Sequence, residues 1–340
     1  MRIFFQIIAF LTTILLLFPV ILIIFFPPAI DRWLSVNEPV DADILIVEGW
    51  IPSGADEKVI EEFNKGNYSL LVTTGGPLPA AYNMSHDGTI RFDLFSAGLQ
   101  LNKEDTVKVV LYAYGEPASG EYARYTLVHD DDTIGRAYTT SAMTAYTHYF
   151  PVGNNPAGML DLIFDNDLVT DSEDRNLHVW KIEMAGITIP VRSEHTWLFR
   201  GNDTVRGRPL NQKSFAEEKA YTLASSGIDS HRIVSLEVPG VRRYRTYADA
   251  VMTGEWIRYR YDMPTAVNIF SFGNHARRSR LLYRYALPAY VDIGIISGGS
   301  SSESSGSRIT VFRQFAAYIY SRFFFNYRGH YRRIIENHEG

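Results

Sequence analysis

The sequence predicts an α/β fold built on a parallel sheet and opened in its middle to hold an all-β domain. Three observations carry this. Residues 41–74 read as strand, loop, helix, strand, the βαβ unit of a parallel sheet. From about 106 to 190 the apolar period falls to two and turn-rich segments separate the runs, as in a β-sandwich. From 214 onward helical and strand-like segments alternate again. The β-rich part is therefore an insertion after the second strand of the sheet.

Taken in order, the chain of 340 residues has room for two domains and a membrane segment. Ile3 to Phe26 carries no charge and is interrupted only by Gln6, Thr12, Thr13 and Pro19. As a helix of about 1.5 Å rise per residue it would cross a hydrocarbon core of roughly 30 Å. The exit at Pro27-Pro28-Ala29 is a poor cleavage site, so an uncleaved anchor is expected, with a cleaved signal as the alternative. Arg2 precedes the run, and Asp31 and Arg32 cancel beyond it. The amino terminus is then expected inside and the bulk of the chain outside the cytoplasm, in the periplasm. The four expected regions are the anchor 1–36, the split α/β domain 37–82 plus 207–300, the inserted sandwich 83–206, and a C-terminal loop and amphipathic helix 301–340.

Ile44–Val47 is an unbroken apolar run, as in a strand buried on both faces. Asp56–Lys65 has helical spacing, with Val59, Ile60 and Phe63 on one side. Leu70–Thr73 is the next strand and exits into Thr74-Gly75-Gly76-Pro77. Within the insert, Val107–Tyr112, Tyr122–Val128, Met159–Phe164 and Leu177–Ile182 are strands. After it come a helix at Ser214–Ser226, a strand at Ile233–Leu236, a helix at Tyr247–Tyr259 and a strand at Val267–Phe272. A helix at Arg277–Tyr285, a strand at Val291–Ile296 and one last aromatic, basic helix at Ile309–Tyr327 complete the order. That last helix is expected to cover one face of the α/β sheet, with only its end near lipid; a helix lying on the membrane surface is the alternative.

Composition excludes several chemistries. Cysteine is absent, so disulfides, thiolate catalysis and cysteine zinc sites are ruled out. A net charge of −5 gives no nucleic-acid footprint. Two places remain for function. The first lies between Phe164 and Leu177, where Asp165, Asp167, Asp171, Glu173 and Asp174 crowd together with Asn166 and Asn176. Such density calls for a counter-charge, and calcium takes oxygen ligands of these kinds. Asp167 and Asp174 are the best candidate ligands and Asp171 a third; a solvated acidic turn is the plain alternative. Arg175 either orients a carboxylate or serves packing.

Phe164-Asp-Asn-Asp167, Asp174-Arg-Asn-Leu177 and Val179 to Gly186 resemble the calcium-dependent xylan-binding carbohydrate-binding modules. The resemblance implies a jelly-roll-like sandwich with calcium at a loop rim, where the ion touches sugar hydroxyls.

The second place is the carboxyl ends of the parallel strands, where ligands sit in open α/β sheets. Thr74, Gly75 and Gly76 suit close approach of an anion or phosphate. Glu48 and Gly49 leave the first strand; Glu48 is a candidate base or arginine partner. His275 follows a strand and Gly273, as a candidate general acid/base. Between Val241 and Arg284 stand nine arginines against three acids, and arginine captures phosphate or carboxylate in bidentate fashion. Arg245, beside Thr246, and Arg278 are singled out.

Ile44 to Trp50, Val72 to Gly76, Arg245 to Asp249 and Phe272 to Arg280 resemble the ElyC/SanA/YdcF family of envelope-associated proteins. Glu48-Gly49 in place of a Gly pair, and the long insertion, depart from that pattern. The resemblance implies a doubly wound, Rossmann-like fold and links to envelope integrity, lipid-carrier metabolism and, in one branch, S-adenosylmethionine.

The expectation is therefore a membrane-anchored envelope protein. It would grip a glycan through calcium and hold a phosphorylated or otherwise anionic ligand, such as a lipid-linked saccharide, in its α/β part. As an enzyme of envelope polysaccharide metabolism it would use His275, Glu48 and Arg278 in catalysis. The competing readings are a non-catalytic glycan sensor or scaffold and an S-adenosylmethionine-binding protein.

Overall fold

A computed structural model describes residues 27–99, 106–152, 158–200, 207–260, 264–299 and 308–339. The apolar run 3–26 lies outside these residues, and so does the membrane helix expected there. Among the described residues no helix is long and apolar enough to cross a membrane. The chain divides into two compact units, 1–77 with 214–340, and 78–213.

The first unit is built on a five-stranded, wholly parallel sheet. Its strands are β1 (Ile44–Glu48), β2 (Leu70–Gly75), β16 (Ile233–Glu237), β17 (Ala266–Ser271) and β18 (Asp292–Ser297), in the spatial order β16-β2-β1-β17-β18. All five residues of β1 are buried because the sheet is covered on both faces. Ile44 and Ile46 point into one core with Val251 and Leu282, while Leu45 and Val47 point into the other with Val59 and Phe63. Helices α2 (Asp56–Lys65) and α3 (Phe215–Ser225) supply the second core. Helices α4 (Arg245–Arg258) and α5 (Ala276–Ala286) supply the first. Strand order reverses between β1 and β17, which opens a crevice beyond the carboxyl ends at that point.

Three more helices belong to this unit. Helix α1 (Pro27–Leu34) packs on α6 (Arg308–Phe323), and α7 (Tyr327–Glu339) packs on α4. The single final helix expected over 309–327 is thus two. The break has a local cause. Phe325 turns into the core, and the Asn326 side-chain oxygen accepts the Gly329 N–H at 3.1 Å and starts a new helix.

The second unit is a sandwich of two antiparallel sheets. One has the order β13-β12-β5-β8, with a short strand β3 added beside β12; the other has the order β15-β14-β4-β9-β6-β7. The first comprises β3 (Tyr82–Met84), β5 (Thr106–Gly115), β8 (Thr144–Pro151), β12 (Leu177–Met184) and β13 (Ile187–Pro190). The second comprises β4 (Gly88–Asp93), β6 (Arg124–His129), β7 (Asp132–Tyr138), β9 (Met159–Phe164), β14 (Thr196–Phe199) and β15 (Arg208–Pro209). Strict alternation builds the core: Val107, Val109, Leu111 and Ala113 of β5 point inward against Leu160, Leu162 and Phe164 of β9. A two-stranded hairpin of β10 (Leu168–Val169) and β11 (Asp174–Arg175) projects between β9 and β12. The unit runs from 78 to 213 rather than 83 to 206, because Tyr82–Met84 pairs with β12 and Arg208–Pro209 with β14. At its neck the chain leaves and returns side by side: Leu78 N–H donates to Lys213 O at 2.8 Å, and Phe215 N–H to Gly76 O at 2.9 Å.

Candidate functional sites

In the α/β unit the chemistry gathers where β1, β2 and β17 end. Glu48, the last residue of β1, has no exposed surface, and Ser279 Oγ stands 2.9 and 3.0 Å from its two carboxylate oxygens. Ser271 Oγ lies 3.2 Å behind Ser279 Oγ. Burial pushes the Glu48 carboxyl up, against the hydrogen bonds of Ser271 and Ser279 and the charge of Arg278. Asp249 of α4 is a second buried acid; burial raises it well above the usual carboxylate range, Glu48 adds to this, and Arg245 opposes it.

Above this acid pair lies a cavity of about 450 Å³. Trp50, Arg245, Thr246, His275 and Arg278 line it from the sheet side, and Tyr244, Arg313, Gln314, Ser321 and Phe325 line it from the other. Three guanidinium groups and no carboxylate face the space. Arg278 Nη2 donates to His275 Nδ1 at 3.3 Å, which leaves the proton of the neutral ring on Nε2. Burial, with the charges of Arg278 and Arg313, lowers the imidazole to about 3. His275 is therefore a neutral donor near pH 7, its ring centre 4.5 Å from that of Trp50 at an interplanar angle of 49°, and not a charged acid. Arg278 Nε and Gln314 Oε1 are buried with no protein partner. Tyr244, which precedes α4, sits at φ 63° and ψ 36°, a left-handed conformation that costs a tyrosine energy and is typical of functional turns. Its carbonyl accepts the Tyr247 and Ala248 N–H groups at 2.9 and 3.0 Å, and Arg245 and Thr246 of the first turn line the cavity.

Of the residues expected here, Arg245, Thr246, His275 and Arg278 share one cavity, and Glu48 lies in the buried network beside them. Gly49, Thr74, Gly75 and Gly76 are not among its lining. A Cβ on Gly49 would meet Thr74 O at 2.5 Å, and one on Gly75 would meet Phe215 Cβ at 2.7 Å, so both glycines let α3 approach the strand ends. Thr74 is buried, and the neighbouring Thr73 hydroxyl is spent on Ala216 O at 2.9 Å. The contributions of Arg313 and Gln314 were missed. Only the unbalanced arginines of the tail signalled them.

In the sandwich, Arg175 is buried and donates to three backbone carbonyls: Glu121 O at 3.0 Å, Asn166 O at 2.8 Å and Ala118 O at 2.5 Å. It staples the loops of the acidic rim together. Asn166 Oδ1 accepts Arg124 N–H at 2.8 Å, and Asp165 pairs with the Arg124 guanidinium at 2.8 Å. Asp167 points elsewhere: its N–H donates to Asp87 Oδ1 at 2.9 Å, its Oδ2 lies 3.4 Å from His86 Nδ1, and its Oδ1 is buried with no partner. Asp171, between β10 and β11, and Asp174, in β11, are exposed. Among the described residues no three His, Asp or Glu side chains converge as a metal cluster. Calcium also accepts amide and carbonyl oxygens and water, and an orphaned carboxylate oxygen on Asp167 beside the Asp87 carboxylate is a donor set it fits. On β8, Tyr146 and His148 pack inward on Tyr125, whose hydroxyl lies 2.8 Å from His148 Nε2; Tyr149 points out.

Fold and sites together define a two-unit protein, a doubly wound α/β unit with a cationic cavity and a β-sandwich with an acidic rim. Comparison with known proteins gives the sandwich a type. Residues 108–198 match the family CBM60, described as a Ca-dependent carbohydrate-binding module, xylan-binding. The chain therefore carries a carbohydrate-binding module. Among solved structures it is similar to vCBM60 in complex with galactobiose, at 20% identity over 26% of this chain and 70% of that one, with a TM-score of 0.21. It is similar to the selenomethionine form of vCBM60 at 20% identity over 26% of this chain and 65% of that one, with a TM-score of 0.20. An acetyl xylan esterase, Est2A, from the rumen bacterium Butyrivibrio proteoclasticus shares 11% identity over 63% of this chain and 62% of its own, with a TM-score of 0.22. No curated protein matches the chain.

Proposed function

We propose that this protein is a single-pass, membrane-anchored envelope protein, its bulk periplasmic, that binds glycan through calcium in the sandwich and an anionic, phosphorylated ligand in the α/β cavity. The observation that carries the glycan half is the match of 108–198 to a calcium-dependent carbohydrate-binding family. Asp167 and Asp87 would hold the ion, with Asp171 and Asp174 on the neighbouring hairpin. Bound calcium supplies a Lewis-acid contact for vicinal sugar hydroxyls. The chain's own part is to hold that rim still, which Arg175 does through its three carbonyl bonds.

The α/β half rests on the cavity. Arg245, Arg278 and Arg313 offer forks for phosphate oxygens, the neutral His275 offers an Nε2–H, and the α4 N-terminus adds backbone donors. Gln314 Oε1 is left to accept from a ligand hydroxyl, as a phosphorylated or lipid-linked saccharide would provide. A cavity lined by three guanidinium groups opposes the sulfonium of S-adenosylmethionine, so that cofactor drops from the reading. The resemblance of the motifs to envelope proteins of the ElyC/SanA/YdcF type is what favours a ligand from envelope polysaccharide metabolism.

Calorimetric titration with xylan-derived oligosaccharides tests the glycan half. Heat of binding should be seen in calcium and vanish on chelation. Binding that survives chelation would end the calcium role, and no binding of any oligosaccharide would end the glycan reading.

A further inference from the structure

Helix α6 has three sides with different neighbours. Gln314, Ala317 and Ser321 face the cavity. Phe315 and Tyr318 meet Trp33 of α1 edge to face, at 6.0 and 5.0 Å. The third side is bare. Ile309, Ala316, Tyr320 and Phe323 recur at helical spacing and are all exposed, and Phe324 extends the stripe. Ile309 is 76% exposed, Phe323 69% and Phe324 71%. Aromatic side chains of this size rarely stay in water together unless something covers them.

The surrounding charge says what covers them. From 308 to 335 the chain carries six arginines and no acid. Arg308 and Arg322 of α6 and Arg328, Arg332 and Arg333 of α7 are all exposed. An apolar stripe on a helix whose charges are all cationic is complementary to an anionic lipid surface, where rings enter the headgroup boundary and guanidinium groups meet phosphates. The position of α1 agrees. This helix begins at Pro27, directly after the uncharged run 3–26, and packs on α6. The one long apolar run of the sequence thus joins the described fold beside the bare stripe.

We propose that α6 lies on an anionic bilayer surface, with Ile309, Tyr320, Phe323 and Phe324 in the headgroup boundary. This goes beyond the anchor and the two ligand sites and depends on neither ligand. The absence of cysteine makes the test clean, since a single introduced thiol is the only label site. The full-length chain carrying Phe324→Cys is labelled with an environment-sensitive dye and reconstituted into vesicles of phosphatidylcholine with about a third phosphatidylglycerol, with brominated acyl chains as quencher. Tyr290→Cys, before the amino end of β18 and exposed, is the control; Phe323→Cys stands in if the first variant misfolds.

Quenching should reach at least about two-fold at 324 and stay near zero at 290. It should fall in pure phosphatidylcholine and in the double variant Arg328→Glu, Arg332→Glu. Equal quenching at both sites, or none at 324, overturns the proposal. Disulfide cross-linking between unlabelled Phe324→Cys chains in place of lipid contact would overturn it in favour of a second copy.

Discussion

In the α/β unit Glu48 and Asp249 are buried among Ser271, Ser279, Arg245 and Arg278, whereas in the sandwich Asp171, Glu173 and Asp174 stand in water on a hairpin. The two arrangements solve the problem of acidic groups by opposite means. The buried pair is balanced from within the protein, by hydroxyls and guanidinium groups fixed in the fold. The rim keeps its carboxylates solvated, with only Asp167 Oδ1 drawn in and left without a partner. Burial pushes the inner pair toward its neutral form among fixed hydroxyls and guanidinium groups, whereas the open rim leaves its carboxylates to water or a cation.

The largest expected effect would break the comparison on the α/β side. Arg278→Ala removes a cation beside the buried Glu48, and should cost that unit about 3 kcal/mol while leaving the melting transition of the sandwich where it was. Scanning calorimetry resolves the two transitions; a joint shift would mean that they are one cooperative block.

The next test sharpens the sandwich side. Calcium at a hundred-fold excess over its dissociation constant should stabilise the sandwich by about 2.7 kcal/mol, and Asp167→Asn should abolish the gain. The α/β transition should ignore calcium. A full gain in Asp167→Asn would move the ion to Asp171 and Asp174.

The smallest effect is a pH dependence. The Asp249 carboxyl is raised in the fold, so the native state holds its proton where the unfolded chain has lost it. Wild-type stability must then fall as pH rises above about 4, the unfolded value, toward the raised native one. Asp249→Asn lacks this loss. Its melting temperature should exceed that of the wild type by an amount that grows with pH. A difference that is flat from pH 4 to 8 would show that Asp249 is ionised at no cost.

Much of the fold was legible because two periods coexist in the chain. Helix Asp56–Lys65 and strand Met159–Phe164 were read to the residue, since their burial is regular. Strand β8 was not, because only one of its eight residues is buried and its apolar signal is thin. The β3 and β15 edges were lost for a related reason: two or three residues hold no period, and only their partners make them strands. At the α/β site, motif position alone brought Arg245, Thr246, His275 and Arg278 together. It failed for Gly49 and Gly75, where the same glycines serve helix packing, and for Gln314, which reaches the cavity from a segment hundreds of residues from β1. The rim was legible as composition but not as geometry: nothing in a run of acids tells that Asp165 pairs with Arg124 while Asp167 turns toward Asp87.

The position of β1 has a consequence for biogenesis. Its two neighbours are β2 and β17, and the whole sandwich is translated between them. At roughly 5–20 residues per second, the edge of β1 that awaits β17 stays bare for roughly ten to forty seconds on the ribosome. Meanwhile the guest domain has emerged complete and can fold first. Ile44 to Val47 is then a sticky, half-zipped ribbon, and a holding chaperone at that stage would find its grip there.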